Sequence, residues 1–437
     1  MSTAPTSPLV ESFDAHAAAA ADASDGALAR ARRAARDGAN AIGVPSTRSE
    51  RWKYTNLRAL AARRFAAPEG RPDVDLKVIA DVPAPRLVIA NGRYAPALSD
   101  LHGLPEGLRV RLLSEVLRDA PDEAAAWLAN DARRADAAFE QWNGALADEG
   151  FVLDVEAGVR VEKPLHLVVL GVEDGAERAF HLRHRITLGA GAQLTVAKHH
   201  LGVGAHRHLL NTVLQVELGE GAELTQARVQ REAHGATLIQ RTDAVLGANA
   251  HYRRLDLELG AALARHELEV VLPADSAQLD AHGVLLADGR RHLDTRLGIE
   301  HRARDTRCGL IWRGIGADRG RAVFHGGILI AEGADGSDAQ LSNKNLLLSD
   351  AAEIDAQPVL VIHADDVQAA HGATVGRLDD ASLFYLRARG VPVAEATAML
   401  TAAFLREPLT VLANEALEDR LTAALDARLA DAARTAS

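Results

Sequence analysis

Between about residue 150 and residue 370, apolar residues alternate in short bursts such as Leu214-Val216-Leu218 and Leu255-Leu257-Leu259. A period of two marks half-buried strands, and no helical run of useful length intervenes. A longer period overlies the short one. A small or polar turn followed by Ala-x-Leu recurs at Ala192-Gln-Leu194, Ala222-Glu-Leu224, Ala250-His-Tyr252, Ala277-Gln-Leu279, Cys308-Gly-Leu310 and Ala339-Gln-Leu341. The intervals between first positions are 30, 28, 27, 31 and 31 residues, and the turns LGAG, LGEG, LGAN and PADS resemble one another. Such a period marks a solenoid, whose repeats bury their apolar sides only by stacking. A sandwich would show turns every 8–12 residues and no long repeat. The pattern predicts a mainly β chain with a β-solenoid of about six or seven coils. Ala192, Ala222, Ala250, Ala277, Cys308 and Ala339 are expected to share one stacked column.

The flanks read differently. Residues 1 to about 9 are polar, and Val10 to Asn40 is Ala-rich with helical propensity. Trp52, Tyr54, Leu57 and Leu60 are expected as packing anchors. Pro85–Ala90 and Leu108–Leu113 read as short strands, and Pro121 to Ala147 as one or two helices. Residues 1–149 are therefore expected to form a mixed, largely helical α/β domain, 150–376 the solenoid, and 377–437 a helical domain. In the last, Asp379 or Asp380 caps a helix carrying Leu383, Phe384 and Leu386 on its apolar side, and Gly390 stops it. Pro408 breaks the next helix, and a final one runs to about Ala432. Its Leu417, Leu421, Leu425 and Leu429 lie four apart on one side. They can pack at home or dock a partner, and docking is the expectation. The run Leu346-Leu347-Leu348 asks for cover on both faces of its strand, with a protein partner as the simplest cover.

Composition narrows the class. The chain has 437 residues, a net charge of −11 and 48% hydrophobic residues. The charge disfavours nucleic acid and anionic membrane as partners. No apolar run is long enough to span a bilayer, and MSTAPTSPLVESFD lacks a signal-peptide pattern, so a cytoplasmic protein is expected. The single cysteine, Cys308, excludes an internal disulfide.

The words NKNLLLSD, ADDV, HGATVG and LFYLRARG between residues 343 and 390, together with RSERWKYTNLRAL at 48–60, resemble the SufB/SufD family of iron–sulfur cluster assembly proteins, its SufD branch in particular. The resemblance runs from about Gly43 to Phe404. It implies a right-handed parallel β-helix, flanked by an N-terminal α/β-helical domain and a C-terminal helical domain. It also implies a non-catalytic scaffold that pairs with a SufB-like subunit through its last coils. A SufC-like ABC-type ATPase would dock on the C-terminal helices, and without partners a homodimer can form. No cofactor is expected to stay bound; an iron–sulfur cluster would be held only transiently in the complex. In the family, the HGATVG segment lies at the partner interface, where nascent clusters form. His371 is the candidate iron ligand or proton carrier there. The family commonly carries a cysteine two residues earlier, where this chain has Ala369. Partner-interface candidates are Leu346, Leu347, Leu348, His371, Leu417, Leu421 and Leu425. HGATVG is expected as a short loop between a strand ending at Ile362 and the helix at Asp379.

Other motifs carry less. Cys308 reads as a small core residue. Asp365-Asp366 and Glu353/Asp355 are paired carboxylates at solenoid turns, and His199, His200, His206 and His208 lie around a glycine-containing turn that could bind metal. Gly314-x-Gly316 lacks the dinucleotide spacing, and no phosphate-cradling P-loop occurs, so no catalytic or cofactor-binding residue is assigned. The rival is a solenoid carbohydrate-active enzyme, a polysaccharide lyase or hydrolase. An aromatic content of 4% speaks against it, because sugar grooves need stacking rings. A plain structural homodimer is the third alternative.

Overall fold

A computed structural model describes residues 7–19, 26–129 and 137–435. Among these residues, strands stack into two parallel sheets about eight turns long, where the repeat had suggested six or seven. Three short strands, β1 (Arg86–Ala90), β2 (Arg93–Tyr94) and β3 (Leu108–Leu112), come first. One sheet then carries β4 (Phe151–Val155), β6 (Ala179–Leu188), β8 (Leu209–Leu218), β10 (Thr237–Leu246), β12 (Leu263–Leu272), β14 (His292–His301), β16 (Arg321–Ile330) and β18 (Glu353–Ile362). The other carries β5 (Leu165–Val172), β7 (Gln193–Val203), β9 (Glu223–Arg231), β11 (His251–Glu258), β13 (Gln278–Ala287), β15 (Arg307–Gly316), β17 (Asp338–Leu347) and β19 (Gln368–Gly376). Each strand pairs in parallel with the strand one coil away, as a β-solenoid requires.

The register corrects the expected column. Ala192, Ala222, Ala250 and Ala277 do overlie one another, but Ala277 is followed by Thr306 and Ser337. Cys308 and Ala339 stand two residues on, in the column of Leu194, Leu224, Tyr252 and Leu279. The reason lies in the turn. A left-handed residue precedes the first inward position of each coil: Gly191, Gly221, Asn249, Ser276, Asp305 and Gly336, with φ between 57° and 76°. Only glycine and a few short polar residues reach that region cheaply. The equivalent triplets are therefore Thr306-Arg-Cys308 and Ser337-Asp-Ala339, whose small residues do not match Ala-x-Leu by eye.

One apolar core follows the interior from Leu87 to Leu341. The middle coils interrupt it with a buried ionic cluster. Arg228 and Arg254 both bond Asp256, at 2.8 and 2.7 Å, and Arg254 also meets the Tyr252 hydroxyl at 2.8 Å. Burial opposes the charge on Asp256, but Arg254 and Arg228 hold its carboxyl well below the usual range. Asp256→Asn is expected to cost about 3–5 kcal/mol, because it leaves two buried guanidiniums short of counter-charge. A urea titration would check this.

The N-terminal part packs α1 (Pro8–Ala19), α2 (Ala27–Ile42), the short α3 (Arg58–Ala61), α4 (Leu113–Asp119), α5 (Pro121–Leu128) and α6 (Ala138–Leu146) around the first coils. The expected helix Val10–Asn40 is thus two helices, and residues 20–25 between them lie outside the described residues, as do 1–6 and 130–136. Trp52 is an anchor, 4% exposed, stacked 4.0 Å from the Arg265 guanidinium. Tyr54 is only half-buried. Both sheets extend past residue 149 into this part: β1 pairs in parallel with β5, and β3 pairs antiparallel with β4.

At the other end come α7 (Asp380–Ala388), α8 (Val393–Arg406), a 3-10 turn at Glu407–Leu412 and α9 (Glu415–Thr435). Asp379 caps α7 by accepting from the Ser382 amide at 2.8 Å. The segment from Glu407 onward folds back over the outer face of the sheet carrying β7 to β15. Arg313 grips Glu407 through two bonds of 2.7 Å, and the His282 ring donates to the Pro408 carbonyl at 2.9 Å. Arg428 bonds the Leu259 carbonyl at 2.8 Å and Asp288 at 2.6 Å.

Candidate functional site: the open final coil

The solenoid does not close its C-terminal end. In β17 the inward Ala339 and Leu341 are buried, but no residue of β18 or β19 is. Ile354, Leu360, Ala364, Val367 and Ala369 touch the core while staying partly exposed. Among the described residues β18 pairs only with β16, and β19 only with β17, so each presents an unpaired edge. Such edges are templates for another chain. HGATVG is not the expected loop but the body of β19. Its alanines and glycines favour strand weakly, and pairing with β17 overrides that propensity.

Register places the side chains. His371 pairs with Leu341, so it continues the inward column Val196, Gln226, Arg254, Ala281, Leu310, Leu341. Val375 follows Asn345, and Ile362 follows the core residue Ile330. These three therefore stand at the mouth of the lumen. Ile362 is 41% and Val375 45% exposed, and His371 is exposed too. No hydrogen bond engages the His371 ring among the described residues. One imidazole can give one ligand bond or carry one proton. It cannot hold iron alone, and no cluster of three or more His, Cys, Asp or Glu suited to a metal occurs among the described residues.

The other candidate donors lie elsewhere. Ala369 follows Cys308 and Ala339 in its column, so Cys308 sits two strands inside the mouth. Burial pushes the Cys308 thiol up to about 12, and its sulfur lies 3.3 Å from His301 Nε2. A thiol held protonated is a core residue rather than a ligand. The four histidines at 199–208 do not form one site. His199 meets His166 at 3.0 Å and His200 meets Gln240 at 3.1 Å, on opposite sides of β7. His206 stacks on His208 in the following turn. Asp355 and Glu353 are held by Arg321, at 2.7 and 3.1 Å, as a structural ion pair.

Several expected interface residues are already covered. Leu417, Leu421 and Leu425 are 3%, 1% and 0% exposed, packed with Leu257, Val284 and Ile315 of the solenoid, and Leu429 joins them. They are not a docking face, because the chain's own sheet supplies the apolar partner. Leu346 and Leu348 pack against the same cluster, so the cover inferred for that run is the C-terminal segment. Leu347, facing the other way, is half-buried. The exposed apolar residues are different ones. On α7, which buries nothing, Phe384 is 71% and Tyr385 57% exposed; on α8, Val393 is 48% and Met399 49% exposed. Adjacent aromatics on one helix were the available signal, since residues one apart cannot share a face.

No described helix is long and apolar enough to cross a membrane. Residues 171–404 match the family described as SUF system FeS cluster assembly, SufBD core domain, and residues 4–167 match the SufBD protein N-terminal region. The chain is 31% identical to the iron-sulfur cluster assembly protein SufD of Escherichia coli, over 90% of its own length and 91% of the relative's. It is 28% identical to the SufBD family protein slr0076 of Synechocystis, covering 92% of each chain. It is also 24% identical to the chloroplastic protein ABCI7 of Arabidopsis thaliana, over 86% of this chain and 81% of that one.

Proposed function

The chain belongs to the SufBD family of iron–sulfur cluster assembly proteins and is SufD-like, and from that premise we propose that it is a non-catalytic cytoplasmic scaffold completed by two partners. The observation that carries this reading is the final coil, where two whole strands bury no residue. A core left open in that way needs a second chain. A SufB-like subunit is the partner of matching architecture, its own edge strands continuing both sheets past β18 and β19. A SufC-like ATPase then fits the exposed side of α7 and α8 instead of the buried leucines of α9. The nascent cluster is cargo, passed through the closed mouth. His371 is the donor on β19 that this chain offers there, and the thiolates come from the partner. A second copy of this chain could occupy the same edges when the partner is absent.

The test is co-purification of the native complex, with its subunits and iron counted. Ile362→Asp with Val375→Asp puts two charges into the mouth and is expected to abolish recovery of the SufB-like subunit, leaving the isolated chain folded. Phe384→Ala with Tyr385→Ala is expected to remove the ATPase alone. His371→Ala is expected to leave the complex whole but lower cluster yield in cells. Recovery of the SufB-like subunit with the doubly charged mouth would overturn the scaffold reading.

A further inference from the structure

On the outside of the solenoid, the face running from β6 to β18 holds a cleft of about 630 Å³. Arg51, Ala129 and Glu140 of the N-terminal part border it, and register builds the rest from three outward rows. The first runs Arg241, Glu267, Arg296, His325 across neighbouring strands. The second runs Asp243, Glu269, Gly298, Gly327, Val359. The third runs Val245, Val271, Glu300, Leu329, Val361. The adjacent Gly298 and Gly327 add no side chain to the middle row, and the Glu269 carboxyl extends over Gly298 as part of the floor. A Cβ at 298 would lie 2.0 Å from Glu269 Oε2, and one at 327 would lie 3.1 Å from the Leu297 carbonyl.

The wall beside that floor carries an unmatched cation. Arg296 is 8% exposed and lines the cleft, yet among the described residues its guanidinium has no hydrogen-bond or ion-pair partner. Its neighbours are matched. Arg51 binds Glu267 at 2.5 Å and Glu269 at 2.8 Å, Arg241 binds Asp243 at 2.5 Å, and Arg302 binds Glu300 at 2.7 Å. Glu267 and Glu269 are thus committed elsewhere. Burial, then the Arg265 and Arg51 cations, push the Arg296 pKa down, only partly offset by the Glu267 and Asp294 carboxylates. Next to it, His325 Nδ1 is buried without a partner. On the opposite side the rim is apolar, with Val245 47% and Val361 40% exposed. A buried guanidinium without a directly paired carboxylate is costly to keep.

We propose that this cleft binds a small organic anion, a carboxylate or phosphate monoester with an apolar body. Arg296 is the counter-charge, His325 a second polar contact, and the valine rim the seat of the body. A planar guanidinium matches two oxygens of either head group. The volume falls in the range of small-molecule pockets, about 300–1,000 Å³.

The test uses thermal melts of the full chain with three probes: benzoate, phenyl phosphate and inorganic phosphate. Benzoate or phenyl phosphate is expected to raise Tm saturably, as binding to the folded state alone requires. Whichever acts at lower concentration identifies the head group, and inorganic phosphate, lacking the body, is expected to act more weakly. Arg296→Met keeps most of the side-chain volume and removes the charge. It is expected to melt higher than the wild type without ligand and to lose the ligand-induced shift. Arg296→Lys keeps the charge but not the fork and is expected to weaken binding about tenfold. A ligand-free Arg296→Met that melts lower would make Arg296 a packing residue. An unchanged shift in that variant, or no shift with any probe in the wild type, would equally overturn the proposal.

Discussion

Acidification from about pH 7 to about pH 5.5 is expected to unfold the chain, well above the range where carboxylates titrate. The cause is the number of imidazoles shut inside. His181 and His199 are pushed down to about 3, and His166, His292 and His301 to about 4, in each case chiefly by burial. Burial, reinforced by the cations nearby, holds His184, His200 and His266 well below the ordinary value. A folded-state pKa below the unfolded value means stability that is present above about 6.5 and is lost as pH falls, because only the unfolded chain takes the proton. Each such ring removes about 1 kcal/mol by about pH 5.5. Eight of them together match the whole stability of an ordinary domain, about 5–15 kcal/mol. Circular dichroism followed against pH should show a steep transition between about pH 5 and 6, steeper than one proton can give. A chain that stays folded to about pH 4 would show that the rings ionise in place.

Leu421→Ala and Leu425→Ala are each expected to cost about 2–5 kcal/mol. Both side chains are at most 1% exposed, packed on the sheet face that they cover together with Leu405, Leu409 and Leu412. Truncation after Arg406 should do more, because it bares Ala227, Val229, Leu257 and Val284 together and removes the Arg313–Glu407 pair. Guanidinium melts of the isolated chain check this, with limited proteolysis of the C-terminal segment as a second readout. If these leucines instead formed a docking face, the isolated variants would melt with the wild type and only ATPase binding would fall.

The fold was legible because a period of about 30 residues survives in a single sequence, and few architectures other than a solenoid produce it. Its phase was harder to read. Thr306 and Ser337 replace alanine in the first inward column, and the eye slides to Cys308 and Ala339, which are small in the neighbouring one. What would have fixed the phase is the left-handed turn residue, Asp305 and Gly336, since backbone conformation repeats more faithfully than side-chain size. β19 was missed for a related reason: Gln368–Gly376 has almost no strand former, and its conformation comes from a neighbour 30 residues upstream. Periodicity shows that Leu417, Leu421, Leu425 and Leu429 share a face but never what the face meets. The answer lay with Ala227, Leu257 and Val284, nearly 200 residues away for the first of them. The cleft at Arg296 left no local trace either. It depends on Gly298 and Gly327 being side by side, which only the strand register reveals.

The clasp formed by Glu407–Leu412 and α9 also has a bearing on how the protein is made. Each coil bonds to the one just before it, so the solenoid can grow from its N-terminal end as the ribosome delivers it. The segment that covers β7 to β15 emerges only after every coil it covers. Throughout synthesis of the later coils, Ala197, Val229, Leu257, Val284 and Ile315 form a bare apolar stripe along a nearly finished molecule. The window for misassociation therefore falls late in translation and widens if elongation pauses after residue 316. A nascent chain stalled there should recruit holdase chaperones more strongly than either a shorter or a completed one.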